Sequence, residues 1–121
     1  MKVKLNIKPD EPTVSGHIYP KITIEKEILS RELPVYLGLG VWELNDLEDL
    51  IGFATSKLNE NNEIISEIKL ISSNAAKIFG TMLSTEYDYT IKGIGELSED
   101  KKIILDFKCS SINVIDKERN E

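Results

Sequence analysis

Apolar and polar residues alternate along much of the chain, and this period of two residues is typical of β-strands. The first alternating stretch is residues 3–7, where Val3, Leu5 and Ile7 are separated by polar residues. The polar residues 59–62 predict a hairpin loop, and the many apolar residues of 63–71 favour a central strand. The strand patterns together cover residues 3–7, 35–37, 51–58, 63–71, 87–97 and 102–114.

The segment 23–32 follows the helical period instead. Its apolar side chains fall on one helical face and its charged side chains lie largely on the others. Proline lacks the N–H that a helix interior needs, so Pro34 is expected to close this helix. The predicted buried face consists of Ile24, Ile28 and Leu29.

A second amphipathic helix is predicted for residues 75–83, with Ser72 or Ser73 as its N-cap. Gly80 within it costs about 1 kcal/mol relative to alanine, which indicates close packing there. The elements predict an α+β fold: a bent, mainly antiparallel sheet or barrel of about six strands with two helices.

The length of 121 residues fits a single domain, expected over residues 1–115, followed by a charged, frayed tail at 116–121. The net charge of −6 argues against binding to nucleic-acid phosphates, which requires clustered basic residues. No apolar run approaches the roughly 20 residues of a membrane span. No long apolar stretch follows Met1, so we expect a cytoplasmic protein.

Few residues offer catalytic chemistry. Cys109 and His17 are the one cysteine and the one histidine, which is too few for a zinc site. Cys109 lies in a strand pattern and is expected to be a small buried residue, and His17 to be a surface or packing residue. The glycines at 93 and 95 also lie within a strand pattern, so a β-bulge is expected rather than a dinucleotide-binding loop.

An acidic cluster, Glu43, Asp46, Glu48 and Asp49, follows Trp42. Its spacing is not that of a calcium loop, so it is interpreted as the solvated, acid-rich start of a helical turn. Trp42 either covers the core or anchors a protein partner. No metal and no cofactor is predicted.

Several segments resemble tailed-phage prohead proteases, which mature the capsid. Gly16-His17-Ile18-Tyr19-Pro20, followed by a short helix, resembles the family's NGRIYP opening. The strands at 50–54 and 64–70, the helix at 75–83 and the strand at 104–114 resemble the elements that follow. The segment 89–95 resembles the family's VSSRGxG stretch, so the resemblance spans residues 16–114.

The resemblance implies a bent-sheet fold, shared with herpesvirus assembly proteases, that carries a serine nucleophile and a histidine. At the serine-bearing stretch this chain has Thr90, whose methyl group crowds the hydroxyl. At the expected histidine position, residues 37–42, it has none. A hydroxyl without a neighbouring base stays protonated near neutral pH, so we expect no protease activity.

Three functions follow as hypotheses. The first is a non-catalytic phage structural or assembly protein that binds virion or scaffold proteins, or itself. The second is an acidic phage protein that blocks a host defence factor. The third is a maturation protease with an atypical site. The residues expected to carry interactions are His17, Tyr19, Trp42, Glu43, Asp46, Glu48, Asp49, Thr90 and Lys92.

Overall fold

The computed structural model describes residues 1–38, 49–81 and 87–116. Within these ranges the chain forms six strands, two α-helices and one π-helical turn. The helical elements are α1 (Lys21–Ile24), the π-helical turn Glu25–Leu29 that continues it, and α2 (Asn74–Thr81). The strands are β1 (Lys2–Lys4), β2 (Leu33–Leu37), β3 (Leu50–Leu58), β4 (Ile64–Leu70), β5 (Tyr87–Leu97) and β6 (Ile104–Asp116).

The strands form one curled, mixed sheet in the order β1-β4-β3-β2-β6-β5. β2 and β6 are parallel, and the other neighbouring pairs are antiparallel. The segment after β1 draws the two ends of the sheet together. Leu5 donates its N–H to the carbonyl of Ile64 at 3.0 Å, and Asn6 donates to the carbonyl of Tyr89 at 2.9 Å. This half-barrel with two helices confirms the predicted α+β class.

Helix boundaries differ from the prediction at α1. The helical region spans 21–29 rather than 23–32, and Pro34 lies inside β2 opposite Phe53 instead of closing the helix. The parallel pairing of β2 with β6 begins one residue later, at Val35. Proline is tolerated at a strand start of this kind, where one side of the ladder lacks a partner.

The second helix begins at Asn74, one residue before the predicted start, and its cap is Ser73, one of the two predicted serines. The hydroxyl oxygen of Ser73 accepts the N–H of Ala76 at 3.0 Å and donates to the carbonyl of Leu50 at 2.7 Å. The expected close packing at Gly80 is wrong, because a Cβ built there meets no atom of the described chain within 4 Å.

The predicted bulge at the glycines of β5 is confirmed. The β5–β6 register shifts between Lys92 and Gly93 and again between Ile94 and Glu96. A Cβ on Gly93 would lie 2.2 Å from the carbonyl oxygen of Lys108, so glycine permits a close approach of the two backbones. β6 begins later than predicted and extends to Asp116, and residues 117–121 of the expected tail lie outside the described residues.

An ion pair between a buried glutamate and an exposed arginine joins the π-helical turn to β6. Glu27 is only 6% exposed, and its Oε1 accepts the N–H of Cys109 at 2.9 Å. Arg31 lies 3.2 Å from the same oxygen and donates to the carbonyl of Cys109 at 3.0 Å. Both backbone groups of Cys109 are therefore satisfied by side chains, as buried polar groups require.

Candidate functional site

A groove of about 410 Å³ lies between the segment that follows β1, the loop at residues 13–15 and β5. Its position follows from the closure of the half-barrel, since Asn6 bonds to Tyr89 and Thr90 comes next in β5. Hydroxyl groups are frequent in its wall. The lining residues are Asn6, Ile7, Thr13, Val14, Ser15, Tyr19 and Thr90.

The loop at one side of the groove is held by hydroxyl contacts. Thr13 Oγ1 lies 2.9 Å from Ser15 Oγ, which lies 3.3 Å from Nδ1 of His17. The backbone N–H of Thr13 also bonds to the carbonyl of His17 at 2.8 Å, and Gly16 has a φ of 86° that completes the turn. The chain's one histidine is thus linked to a groove-lining serine.

Tyr19 forms another part of the wall. Its ring meets the ring of Phe107 edge to face, with the ring centres 5.1 Å apart. Burial raises the pKa of the Tyr19 phenol, and the neighbouring Cys109 raises it further. The phenol is therefore neutral at physiological pH and can serve as a hydrogen-bonding group.

The sheet register relates Thr90 to the end of β2. Thr90 is paired with Asn113 of β6, and Asn113 is paired with Tyr36 of β2. Adjacent strands lie about 4.8 Å apart, so Thr90 and the end of β2 are separated by roughly two strand spacings. Leu37, which belongs to the described part of the expected histidine stretch, pairs with Val114, and Val114 pairs with Tyr89, so Leu37 lies across one strand from the neighbour of Thr90.

The predicted interaction residues are only partly brought together. Tyr19 and Thr90 line the groove, and His17 contacts it through Ser15. Asp49 precedes β3, whose first residue pairs with Tyr36, three strands from Thr90. Lys92 lies further along β5, at the bulge. Trp42, Glu43, Asp46 and Glu48 lie outside the described residues.

Cys109 is buried in β6, as predicted. It is 3% exposed, and burial is the main cause that raises the pKa of its thiol to about 11. A thiol with so high a pKa carries almost no thiolate near neutral pH, so it is a poor nucleophile.

Sequence reasoning missed the contributions of Asn6 and Ser15. Asn6 is one of the polar residues of the first strand pattern, and nothing in that pattern indicates a bond to β5. Ser15 precedes His17 by two residues, and this spacing in a turn could have indicated the contact. Across the three described ranges, no three or more His, Cys, Asp or Glu side chains are grouped as a metal site would need. No helix there is long and apolar enough to cross a membrane.

Comparison with known proteins is informative for solved structures. No family model and no curated protein matches the sequence. Among solved structures, the chain is similar to the capsid assembly protease gp21 of bacteriophage T4, with a TM-score of 0.66 and 13% sequence identity. The match covers 94% of this chain and 80% of that chain. The half-barrel is therefore similar in fold to that capsid assembly protease, as the sequence resemblance implied.

Proposed function

We propose that the chain is a non-catalytic phage structural or assembly protein that acts by binding other proteins. The observation that carries the proposal is the fold shared with a capsid assembly protease over 94% of the chain. The residues at the two positions that the family resemblance assigns to catalysis also support a non-catalytic role.

The first position is that of the nucleophile. Thr90 stands at the serine-bearing stretch of the family resemblance, and it lines the groove. Its hydroxyl carries a neighbouring methyl group, and a threonine needs an adjacent base to become nucleophilic. The threonine supports a surface role for this groove in place of peptide cleavage.

The second position is that of the base. Residues 37–42 contain no histidine, and the one histidine of the chain is His17, near the start. Within the described ranges, the hydrogen-bond partner of its ring is Ser15, at 3.3 Å, and no carboxylate there bonds to the imidazole. A catalytic histidine is held by a third group that fixes its tautomer, so this arrangement supports the non-catalytic role.

One observation favours an atypical protease as the second candidate. Ser15 and Thr90 line the same groove, and Ser15 contacts His17. The 3.3 Å between Ser15 Oγ and His17 Nδ1 is slightly longer than the roughly 2.6–3.2 Å expected of a working nucleophile and base. The pair is also part of an exposed loop, where water weakens electrostatic stabilisation.

A complementation experiment separates these functions. The gene would be deleted from the phage or prophage that carries it, and head assembly would be followed by electron microscopy. We expect assembly to fail and to be restored by the unaltered gene, and we expect the triple variant Ser15→Ala, His17→Ala, Thr90→Ala to leave the cleavage pattern of the head proteins unchanged. Restoration only by the unaltered gene, with uncleaved head proteins accumulating in the variant, would establish the protease instead.

A third outcome concerns the acidic inhibitor of a host factor. In that case deletion leaves head assembly intact, and the phage instead loses growth on a host that carries the defence factor. That result would contradict the assembly role.

The circular dichroism spectrum of the purified triple variant serves as the folding control for the complementation experiment.

A further inference from the structure

The outer edge of β5 is exposed to solvent along its second half. The run Gly93–Leu97 is exposed at every position, and Ile94 is 83% exposed. On the side of β5 that faces away from β6, the N–H of Asn6 bonds to the carbonyl of Tyr89. Among the described residues, no further backbone hydrogen bond reaches that side of β5 between Tyr89 and Leu97. An edge of this kind is a template for pairing with another strand.

The directions of the backbone groups along this edge follow from two bonds. The carbonyl of Tyr89 points outward, because it accepts from Asn6. The carbonyl of Lys92 points toward β6, because it accepts the hydroxyl of Ser110 at 2.9 Å. Both register shifts add the extra residue to β6 and none to β5, so directions alternate along β5, and residues 93 and 95 direct their N–H and C=O groups outward.

We propose that two copies of this chain pair through their β5 edges, antiparallel, with Ile94 on the two-fold axis. In this register Gly93 of one copy exchanges both backbone hydrogen bonds with Gly95 of the other. The two Ile94 residues form the non-hydrogen-bonded pair at the centre, with Cα atoms about 4.5 Å apart and their side chains in contact.

Charge and apolar side chains are complementary in this register. Lys92 faces Glu96 of the second copy on both sides of the axis, and Ile91 faces Leu97 one pair further out. A slip that places residue 92 on the axis would oppose two lysines, and a slip that places residue 96 there would oppose two glutamates. Like charges directly opposite each other destabilise a strand pair, so these two slips are disfavoured relative to the register centred on Ile94.

This contact deepens the proposed function, since it rests on a protein–protein role and names one partner as a second copy. It is built from one strand pair and is therefore small, so the dimer should form as protein concentration rises. The surface differs from the groove. Head assembly that succeeds while the unaltered chain stays monomeric would refute the β5 contact alone, whereas the complementation experiment tests the assembly role.

Disulfide trapping tests the register directly. In Ile94→Cys the two new sulfurs lie on the axis, where Cα atoms about 4.5 Å apart fall within the range of a disulfide. In the matched variant Glu96→Cys the Cα atoms are separated by four residues along the strand, about 14 Å. Native Cys109 does not compete, because it is 3% exposed and burial raises its thiol pKa to about 11.

We expect mild oxidation to cross-link Ile94→Cys into a covalent dimer. Under the same conditions Glu96→Cys should give no covalent dimer. In sedimentation, Ile94→Asp should abolish the concentration-dependent dimer, because two carboxylates then meet on the axis. The control Ile22→Asp alters another isoleucine, 76% exposed, on α1, and should dimerise normally. Glu96→Lys should weaken the dimer, and adding Lys92→Glu should restore it.

Two results would overturn the proposal. The first is a monomer at every concentration, with equal cross-linking of the two cysteine variants. The second is a dimer that survives Ile94→Asp, which would place the contact on another surface.

Discussion

The Glu27 side chain of the π-helical turn accepts the backbone N–H of Cys109 in β6 at 2.9 Å. β2 pairs with β6 only from Val35 and Ile112 onward, so the helical turn takes over this side of β6 where β2 is absent. Arg31 completes the contact by bonding both to Glu27 and to the carbonyl of Cys109. One buried carboxylate thereby fixes the helical layer to the bulged part of the sheet.

Glu27→Ala should lower the free energy of unfolding by about 1–3 kcal/mol, because it leaves the buried N–H of Cys109 unsatisfied. Glu27→Gln keeps an acceptor oxygen and loses the charge beside Arg31, so its loss should be smaller. Urea unfolding followed by circular dichroism measures both. The control Glu25→Ala alters an exposed acid in the same turn and should change stability by less than about 0.5 kcal/mol. Equal losses at both positions would contradict the role of this bond.

Gly93→Ala should destabilise the fold, because the new methyl group meets the carbonyl of Lys108 at 2.2 Å and the ring of Phe107 at 2.6 Å. Overpacking of this kind typically costs about 1–3 kcal/mol. Thermal unfolding would show a lower midpoint than for the unaltered chain.

The matched control is Gly80→Ala, where the new methyl group meets no described atom within 4 Å and the backbone is helical. Here alanine should stabilise by up to about 1 kcal/mol. Opposite signs for the same chemical change are the expected result. A destabilising Gly80→Ala would indicate that another part of the chain packs there.

Ser73→Ala should cost about 0.5–2 kcal/mol, because the hydroxyl caps α2 and also bonds to the carbonyl of Leu50 at 2.7 Å. Ser72→Ala provides the neighbouring control and should be nearly neutral. Urea unfolding distinguishes the two variants, provided that the dependence of the unfolding free energy on urea concentration is the same for both. A larger loss at Ser72 would move the cap to that residue.

Stability should fall at alkaline pH because of Cys109. Its thiol pKa is raised from 9.0 to about 11 in the folded chain, so from pH 9 upward the unfolded chain loses a proton that the folded chain retains. This contribution is fully present below pH 9 and is lost as the pH rises toward 11, at up to about 1.4 kcal/mol per pH unit.

The comparison of the unaltered chain with Cys109→Ala isolates this effect, since both retain the tyrosines that also titrate in this range. Urea unfolding at several pH values between 8 and 11 gives the two slopes. The Cys109→Ala chain should be less stable at pH 8 and should show the shallower decline. Parallel declines would assign the alkaline instability to other groups.

Much of the fold was predictable because strands and helices leave periodic patterns. The strand patterns predicted at residues 51–58 and 63–71 correspond to β3 and β4 almost residue for residue. The glycines of β5 predicted a bulge because few other residues allow such close backbone contact. Cys109 was expected in the core from its strand context, and it is there.

Other features depend on contacts between distant segments and leave no local signal. In the sequence, Glu27 is one of several acidic residues in a charged helix, and nothing nearby indicates that it is buried. It is buried because the π-helical turn packs against β6. The missing N–H of Pro34 is tolerated both just after a helix and at the start of a strand. The sequence suggested the helix end, whereas pairing with the neighbouring strands places Pro34 in β2. The groove likewise exists because Asn6 reaches Tyr89, a pairing that no periodicity encodes.

The parallel pairing of β2 and β6 also affects how the chain is made. β2 is synthesised early, whereas the strand that lies between it and β5 is the last of the six to leave the ribosome. Until then β2 has one open edge, and contacts between such distant segments form slowly. We therefore expect nascent chains stalled before residue 104 to be protease-sensitive and to bind chaperones, and chains stalled well beyond residue 116 to become resistant.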